Sequence, residues 1–134
     1  MTFLPPLTII HVAMLIELSR EQREIVQQFR ALAQASFRAR APRHDLECSF
    51  VTENFNDLAR AGLLTLPVPR EYGGLGGGIG GDHLLQNAVR FEIAKACGST
   101  ALCFGHHCDV VSLIKLVGTP EQKKRLFNEI VARG

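Results

Sequence analysis

Apolar and polar positions recur along this chain with the period of helices. From Leu18 onward the apolar residues Leu18, Ile25, Phe29 and Leu32 fall at spacings of seven, four and three, while Arg20, Glu24, Gln28 and Arg38 lie elsewhere around the turn. That spacing predicts an amphipathic helix with one buried stripe. Its start is written in Ser19-Arg20-Glu21-Gln22, a capping box in which the serine hydroxyl and the glutamine side chain satisfy each other's backbone amides. The pattern fades over Arg38 to Arg43, and Pro42, which lacks an amide hydrogen, predicts that the helix ends there. His44 to Phe50 is polar and irregular and reads as a loop. Thr52 is then placed to cap a short helix, Glu53 to Ala61, with Phe55, Leu58 and Ala59 inward and Gly62 ending it.

The segment LLTLPVPREYGG is apolar, and Pro67 and Pro69 forbid both a helix and a central strand, so it reads as a buried, extended, rigid connector. Gly73 to Gly81 is nearly all glycine and reads as a flexible turn that reverses the chain. Gly76, Gly78 and Gly81 meet the G-x-G-x-x-G spacing, but no strand precedes them and no acid follows at the distance that holds a ribose. Asp82 is placed to cap a helix that runs to about Cys97, with Leu84, Leu85, Ala88, Phe91 and Ile93 or Ala94 inward.

Gly98 to Gly118 is apolar on nearly every side and framed by glycines, which predicts a central helix buried among other helices, with Ser99 as N-cap and a left-handed Gly118 at its end. His106, His107, Asp109 and Lys115 interrupt the run, which argues against a membrane anchor. Thr119-Pro120-Glu121-Gln122 combines an N-cap threonine, a first-turn proline, an acid near the positive end of the helix dipole and a capping-box glutamine. The last helix therefore starts at Pro120, buries Leu126, Phe127 and Ile130 and exposes Lys123, Lys124 and Arg125. Five helices without a convincing strand predict an all-α bundle.

Composition adds bounds. A chain of 134 residues that is 46% hydrophobic with a net charge of +2 fits one soluble globular domain. Its basic residues are scattered rather than clustered, and nothing calls for a nucleic-acid or membrane partner. The opening MTFLPPLTIIHVA lacks the basic start and small-residue cleavage pattern of a signal peptide. Residues 1–16 read as an extension with little role in the fold and residues 17–134 as the domain. The four cysteines are then expected as thiols in the reducing cytosol.

Candidate chemistry gathers on the central helix, in Cys103, His106, His107 and Cys108. Cys103 and His107 are four apart, as zinc ligands on a helix can be, but a structural site needs two more ligands, and Cys48, His44 or His83 would have to supply them. The simpler reading is that the cysteines pack as small apolar groups and the histidines are satisfied by carbonyls, with no metal site. Glu92 and Lys95 read as a solvated face and Tyr72 as packing. No catalytic residue stands out.

Two blocks taken together carry a resemblance. Residues 62 to 78, GLLTLPVPREYGGLGGG, and residues 92 to 134, EIAKACGSTALCFGHHCDVVSLIKLVGTPEQKKRLFNEIVARG, closely resemble the amino-terminal helical domain of the acyl-CoA dehydrogenase family. The order of elements also fits over residues 17 to 134, and the strongest motifs are Val68 to Gly76 and Gly118 to Lys123. The resemblance implies an FAD-dependent oxidoreductase that acts on the CH–CH group of acyl-CoA thioesters. It also implies a middle β-domain and a second helical domain outside this chain, and a homo-oligomer. Neither the family's catalytic base nor its flavin-binding segments match any residue here, so the chain alone is expected to be inactive and not to bind FAD.

The role implied for this domain is to wall the pocket that receives the acyl chain. The positions implied are Ala101, Leu102, Gly105, His106 and Asp109 on the central helix, with Gly105 leaving room for a chain. His106 and Asp109 make that face polar for a long plain fatty chain, because an unpaired buried polar group costs about 1–3 kcal/mol. A short, branched or functionalised substrate follows, or a related flavin-dependent monooxygenase. The alternative of another class is a stand-alone helical module that binds an apolar ligand or a partner chain. A large exposed apolar patch would favour the first reading over the second.

Overall fold

The computed structural model describes residues 17–134, so the expected extension, residues 1–16, lies outside the described residues. The core is a stack of buried side chains from three long helices and one short one, centred on Phe29, Phe37, Leu58, Val89, Ile93 and Phe104, each fully shielded from solvent. Helix α1 spans residues 20–47 as Arg20–Leu32, a wide π turn Ala33–Phe37, and Arg38–Glu47. Helix α2 is Thr52–Arg60, α3 is His83–Ala96, α4 is Gly98–Val117 and α5 is Pro120–Arg133. The predicted all-α bundle is what forms, with no named strand among the described residues.

Local capping signals settle where helices begin. The Ser19 hydroxyl accepts from the Gln22 amide at 3.1 Å while the Gln22 side chain accepts from Ser19 N–H at 2.7 Å. Thr119 and Gln122 repeat the pattern at the start of α5, and Asp82 accepts from the Leu85 amide at 2.8 Å. Other caps differ from expectation. Thr52 lies inside α2, which Val51 precedes without a side-chain cap, and α4 opens from an extended Cys97, so Ser99 caps nothing. Gly118 is extended, at φ −66° and ψ 149°, rather than left-handed. A Cβ there would stand 2.6 Å from the Ile114 carbonyl oxygen, so glycine is needed for close approach.

Helix α1 does not stop at Pro42. An interior proline costs about 3 kcal/mol relative to alanine, and contacts on the same segment offset it. Arg40 hydrogen-bonds Asn54 at 2.9 Å and Asp57 at 2.6 Å on α2, and the buried His44 ring shares a hydrogen bond of 2.9 Å with the Ser49 hydroxyl. The helix ends at Cys48, the one non-glycine residue with positive φ among the described residues. Residues expected to form a loop, His44 to Glu47, are helical.

The connector after α2 is buried as expected, with Leu66 and Val68 fully inside, but it winds into two 3-10 turns, Leu63–Thr65 and Arg70–Tyr72, rather than running extended. Tyr72 packs edge-on against Phe127 of α5 with ring centroids 4.9 Å apart. The glycine loop is tied down at several points: Leu75 donates to the Thr65 carbonyl at 3.1 Å, Gly76 to Val68 at 2.9 Å and Gly77 to Leu66 at 2.8 Å.

Two inward assignments change. On α3, Leu85, Val89 and Ile93 are buried while Phe91 and Ala94 face out. Glu92, expected on a solvated face, is only 7% exposed and is held by Arg30 of α1. On α4 the expected all-round burial is halved. Phe104, Cys108, Val111 and Ser112 face the bundle, whereas Leu102, Val110, Leu113, Leu116 and Val117 are each more than half exposed.

Candidate functional site

Helix α4 is long and apolar enough to cross a membrane by length and composition, yet one side of it packs on α1 and α3. Its other side exposes Leu102, Val110, Leu113, Leu116 and Val117, near the exposed Phe91 of α3. Residues at 102, 106, 109, 113 and 116 recur at helical spacing, so Leu102, His106, Asp109, Leu113 and Leu116 share that outer face. Of the expected pocket residues, Leu102, His106 and Asp109 are therefore presented outward, while Ala101 and Gly105 are buried beside them.

Gly105 leaves room, but Arg90 of α3 occupies it. A Cβ on Gly105 would lie 2.6 Å from Nη2, 2.7 Å from Cζ and 2.9 Å from Nε of the Arg90 guanidinium. The absence of a side chain is what lets the arginine lie across α4. Arg90, Phe91, Ala94, Asn87, Ala101 and Leu102 line a shallow open groove of about 410 Å³ between the two helices. Sequence reasoning missed Arg90. The signal was the isolated glycine inside an apolar helix, which marks a close approach by a neighbouring element.

On the inner side of α4, burial pushes the Cys108 thiol up to about 12, with the Asp109 charge adding to the rise and Arg90 opposing it. A thiol so placed is a packing group and not a nucleophile. The four reactive side chains of α4 do not converge. His106 faces out, Cys108 faces the core, and His107 turns to the Leu64 carbonyl, 2.8 Å from Nε2. Burial lowers the affinity of His107 for a proton, the Leu64 contact partly opposing, and a neutral ring donating Nε2–H to that carbonyl fits this setting. No cluster of three or more His, Cys, Asp or Glu side chains able to hold a metal ion occurs among the described residues.

Fold and face together define a class: an all-helical domain that leaves one side of its most apolar helix exposed. The chain belongs to the acyl-CoA dehydrogenase family, whose N-terminal domain matches residues 19–133. It is 40% identical over 101 residues to a dibenzothiophene monooxygenase of Rhodococcus erythropolis, covering 75% of this chain and 23% of that protein. It is 33% identical over 109 residues to the short-chain-specific acyl-CoA dehydrogenase of Clostridium acetobutylicum, covering 81% of this chain and 28% of that protein. It is also 30% identical over 118 residues to an acryloyl-CoA reductase (NADH) of Anaerotignum propionicum, covering 87% and 29%. The chain thus spans about a quarter of the length of these relatives.

The family implies a flavin, and the glycine loop does not fit one. A Cβ on Gly74 would stand 2.1 Å from the Val68 carbonyl oxygen, one on Gly77 3.1 Å from Leu66, and one on Gly78 2.6 Å from Gln86 Oε1 and 2.7 Å from Ser112 Oγ. These glycines bring the loop against its own protein, where a dinucleotide cradle needs them to open backbone amides toward a phosphate.

Proposed function

We propose that this chain forms the substrate-facing wall of an FAD-dependent oxidoreductase that acts on the CH–CH group of an acyl-CoA thioester. The observation that carries the reading is the set of exposed large apolar residues, Leu102, Val110, Leu113, Leu116 and Val117 of α4 with Phe91 of α3, on the helix expected to line the pocket. The part of the chain in that chemistry is to bind and orient the acyl group. Leu102 and Phe91 supply apolar contact, and Arg90, His106 and Asp109 set how polar the wall is. Four unpaired cysteines support a reducing, cytoplasmic setting, and the same reading includes a homo-oligomer built with domains outside this chain.

A second reading, oxygenation of the substrate by a flavin-dependent monooxygenase, is favoured by a specific observation. Identity to the dibenzothiophene monooxygenase is 40%, against 33% to the acyl-CoA dehydrogenase. A polar group lying over Gly105 also suits a compact substrate better than a long acyl chain. The two separate in one experiment on the polypeptide that carries this chain, purified with its flavin. Bleaching of the oxidised flavin by butyryl-CoA without oxygen supports the dehydrogenase. An oxygenated product from dibenzothiophene, formed with reduced flavin and oxygen, supports the monooxygenase. A polypeptide that retains no flavin and does neither would sink both.

A further inference from the structure

We infer that Lys115 is a modification site, at which an acyl thioester leaves its acyl group as an amide. The class of electrophile rests on the acyl-CoA reading above, whereas the setting of the amine is read from the structure alone. Lys115 lies in the last turn of α4, and its Nζ reaches the glycine loop, 3.5 Å from the Gly77 carbonyl oxygen. Among the described residues that long contact is the one hydrogen bond the ammonium makes, and no carboxylate pairs with it, whereas Lys95 is held 2.5 Å from Glu92. Glycines keep the amine within reach of a reagent. It lines an open pocket of about 410 Å³ with Pro69, Arg70, Glu71, Gly80 and Gly81. A Cβ on Gly81 would stand 3.1 Å from Nζ and one on Gly80 3.5 Å from Cε, so a side chain at either place would cover it.

An ammonium so placed has exchanged water for one distant acceptor. Burial accordingly holds Lys115 below the usual lysine range, with the Glu71 charge partly opposing. Arg70, the other cation of the pocket, is taken by Glu21 at 2.7 Å. A desolvated lysine of this kind is a better nucleophile at mildly alkaline pH because more of it is the free amine. The nitrogen lone pair attacks the thioester carbonyl carbon; the C–N bond forms, the C–S bond breaks, and the thiol leaves with the proton that nitrogen gives up. The product replaces a cation with a neutral amide. It also adds an acyl chain close to Leu116, whose Cδ2 lies 3.3 Å from the Cβ position of the same Gly80. A thioester in excess would thereby mark the loop end of the helix that walls its own pocket.

The test is the rate of acylation at each of the four lysines, Lys95, Lys115, Lys123 and Lys124, in the polypeptide that carries this chain. The probe is S-butyryl-N-acetylcysteamine, a neutral thioester, so that charge on the reagent does not select the site. Peptide mapping by mass spectrometry at about pH 8 should show Lys115 acylated about threefold or more faster than the exposed Lys124. Glu71 is exposed and makes no ion pair among the described residues, so Glu71→Gln should leave the fold intact. It removes a charge that holds the proton on Lys115, and should speed Lys115 further while leaving Lys124 unchanged. A Lys115 rate no faster than that of Lys124, or one that Glu71→Gln does not move, would overturn the inference. Acylation needs neither flavin nor turnover, so it can fail while the dehydrogenase reading stands and succeed where flavin bleaching fails.

Discussion

Arg30 and Glu92, 62 residues apart in sequence, are joined by a two-pronged hydrogen bond, Nε to Oε2 at 3.0 Å and Nη2 to Oε1 at 2.9 Å, which clamps α1 to α3. Lys95 adds a second cation, 2.5 Å from Oε2. Burial alone would push the Glu92 carboxyl up, but the hydrogen bonds and charges of Arg30 and Lys95 outweigh it and the net direction is down. A carboxyl held below its unfolded value of about 4.3 contributes stability at neutral pH that is lost as pH falls through the folded value. Glu92→Gln should therefore cost about 1–3 kcal/mol near pH 7, less than a fully buried pair because Arg30 is partly exposed. Urea denaturation at about pH 7 and about pH 3 checks it. A penalty that is the same at both would contradict the assignment.

Asn54 makes the other cross-bundle polar link. Its Nδ2 donates to the Thr100 hydroxyl at 2.8 Å, with both residues fully buried, and its Oδ1 accepts from Arg40. Removing the amide strands the Thr100 hydroxyl and takes one of its two acceptors from Arg40, which keeps Asp57. Asn54→Ala is expected to destabilise by about 2–3 kcal/mol, since a buried group left unpaired costs about 1–3 kcal/mol. Thr100→Val in the Asn54→Ala background should cost much less than Thr100→Val alone. Additive costs in that double-mutant cycle would show that the bond contributes nothing.

These two links also mark what the sequence could and could not reveal. Caps at Ser19, Asp82 and Thr119 were legible because donor and acceptor lie three residues apart, and a local spacing is visible in a string. Glu92 reads as solvent-facing because its charge looks outward until Arg30 is brought to it. Pro42 reads as a stop because the contacts that hold the helix through it, from Arg40 to Asn54 and Asp57, cross to another element. Leu102 and Asp109 share the outer face of α4 with His106, as helical spacing implies, but Gly105, expected beside them with room for a ligand, is buried, and Arg90 of α3 fills that space.

Two glycines should respond in opposite ways to the same change. Alanine at Gly105 meets the far end of a flexible arginine, which can swing aside, and alanine is favoured over glycine inside a helix by about 1 kcal/mol. Gly105→Ala should leave melting unchanged or slightly raised while displacing Arg90. Alanine at Gly74 meets the Val68 carbonyl oxygen at 2.1 Å and the Val68 Cβ at 2.4 Å, neither of which can move without shifting the buried connector. Overpacking of that kind costs about 1–3 kcal/mol or more. Thermal melts of the two variants decide the matter, and equal losses would mean that the loop is not seated as described.

The four thiols should separate by reactivity. A thiol reacts as thiolate, so its rate depends on exposure and on how far burial has raised its proton affinity. Cys48 is exposed at the left-handed end of α1, Cys103 is half-buried, and Cys97 and Cys108 are buried. With Cys108 raised to about 12, only about one part in ten thousand is thiolate near pH 8, before its lack of access is counted. A disulfide-exchange reagent should therefore label Cys48 rapidly, Cys103 more slowly, and Cys97 and Cys108 only at the rate at which the bundle opens. Cys48→Ser should abolish the fast phase alone, and Glu92→Gln, by loosening the clamp between α1 and α3, should speed the slow one. Peptide mapping during labelling assigns each phase. Modification of Cys108 in step with Cys48 would show that α4 does not hold its inner face against the core, and the division of that helix into a packed side and a ligand-facing side would fall with it.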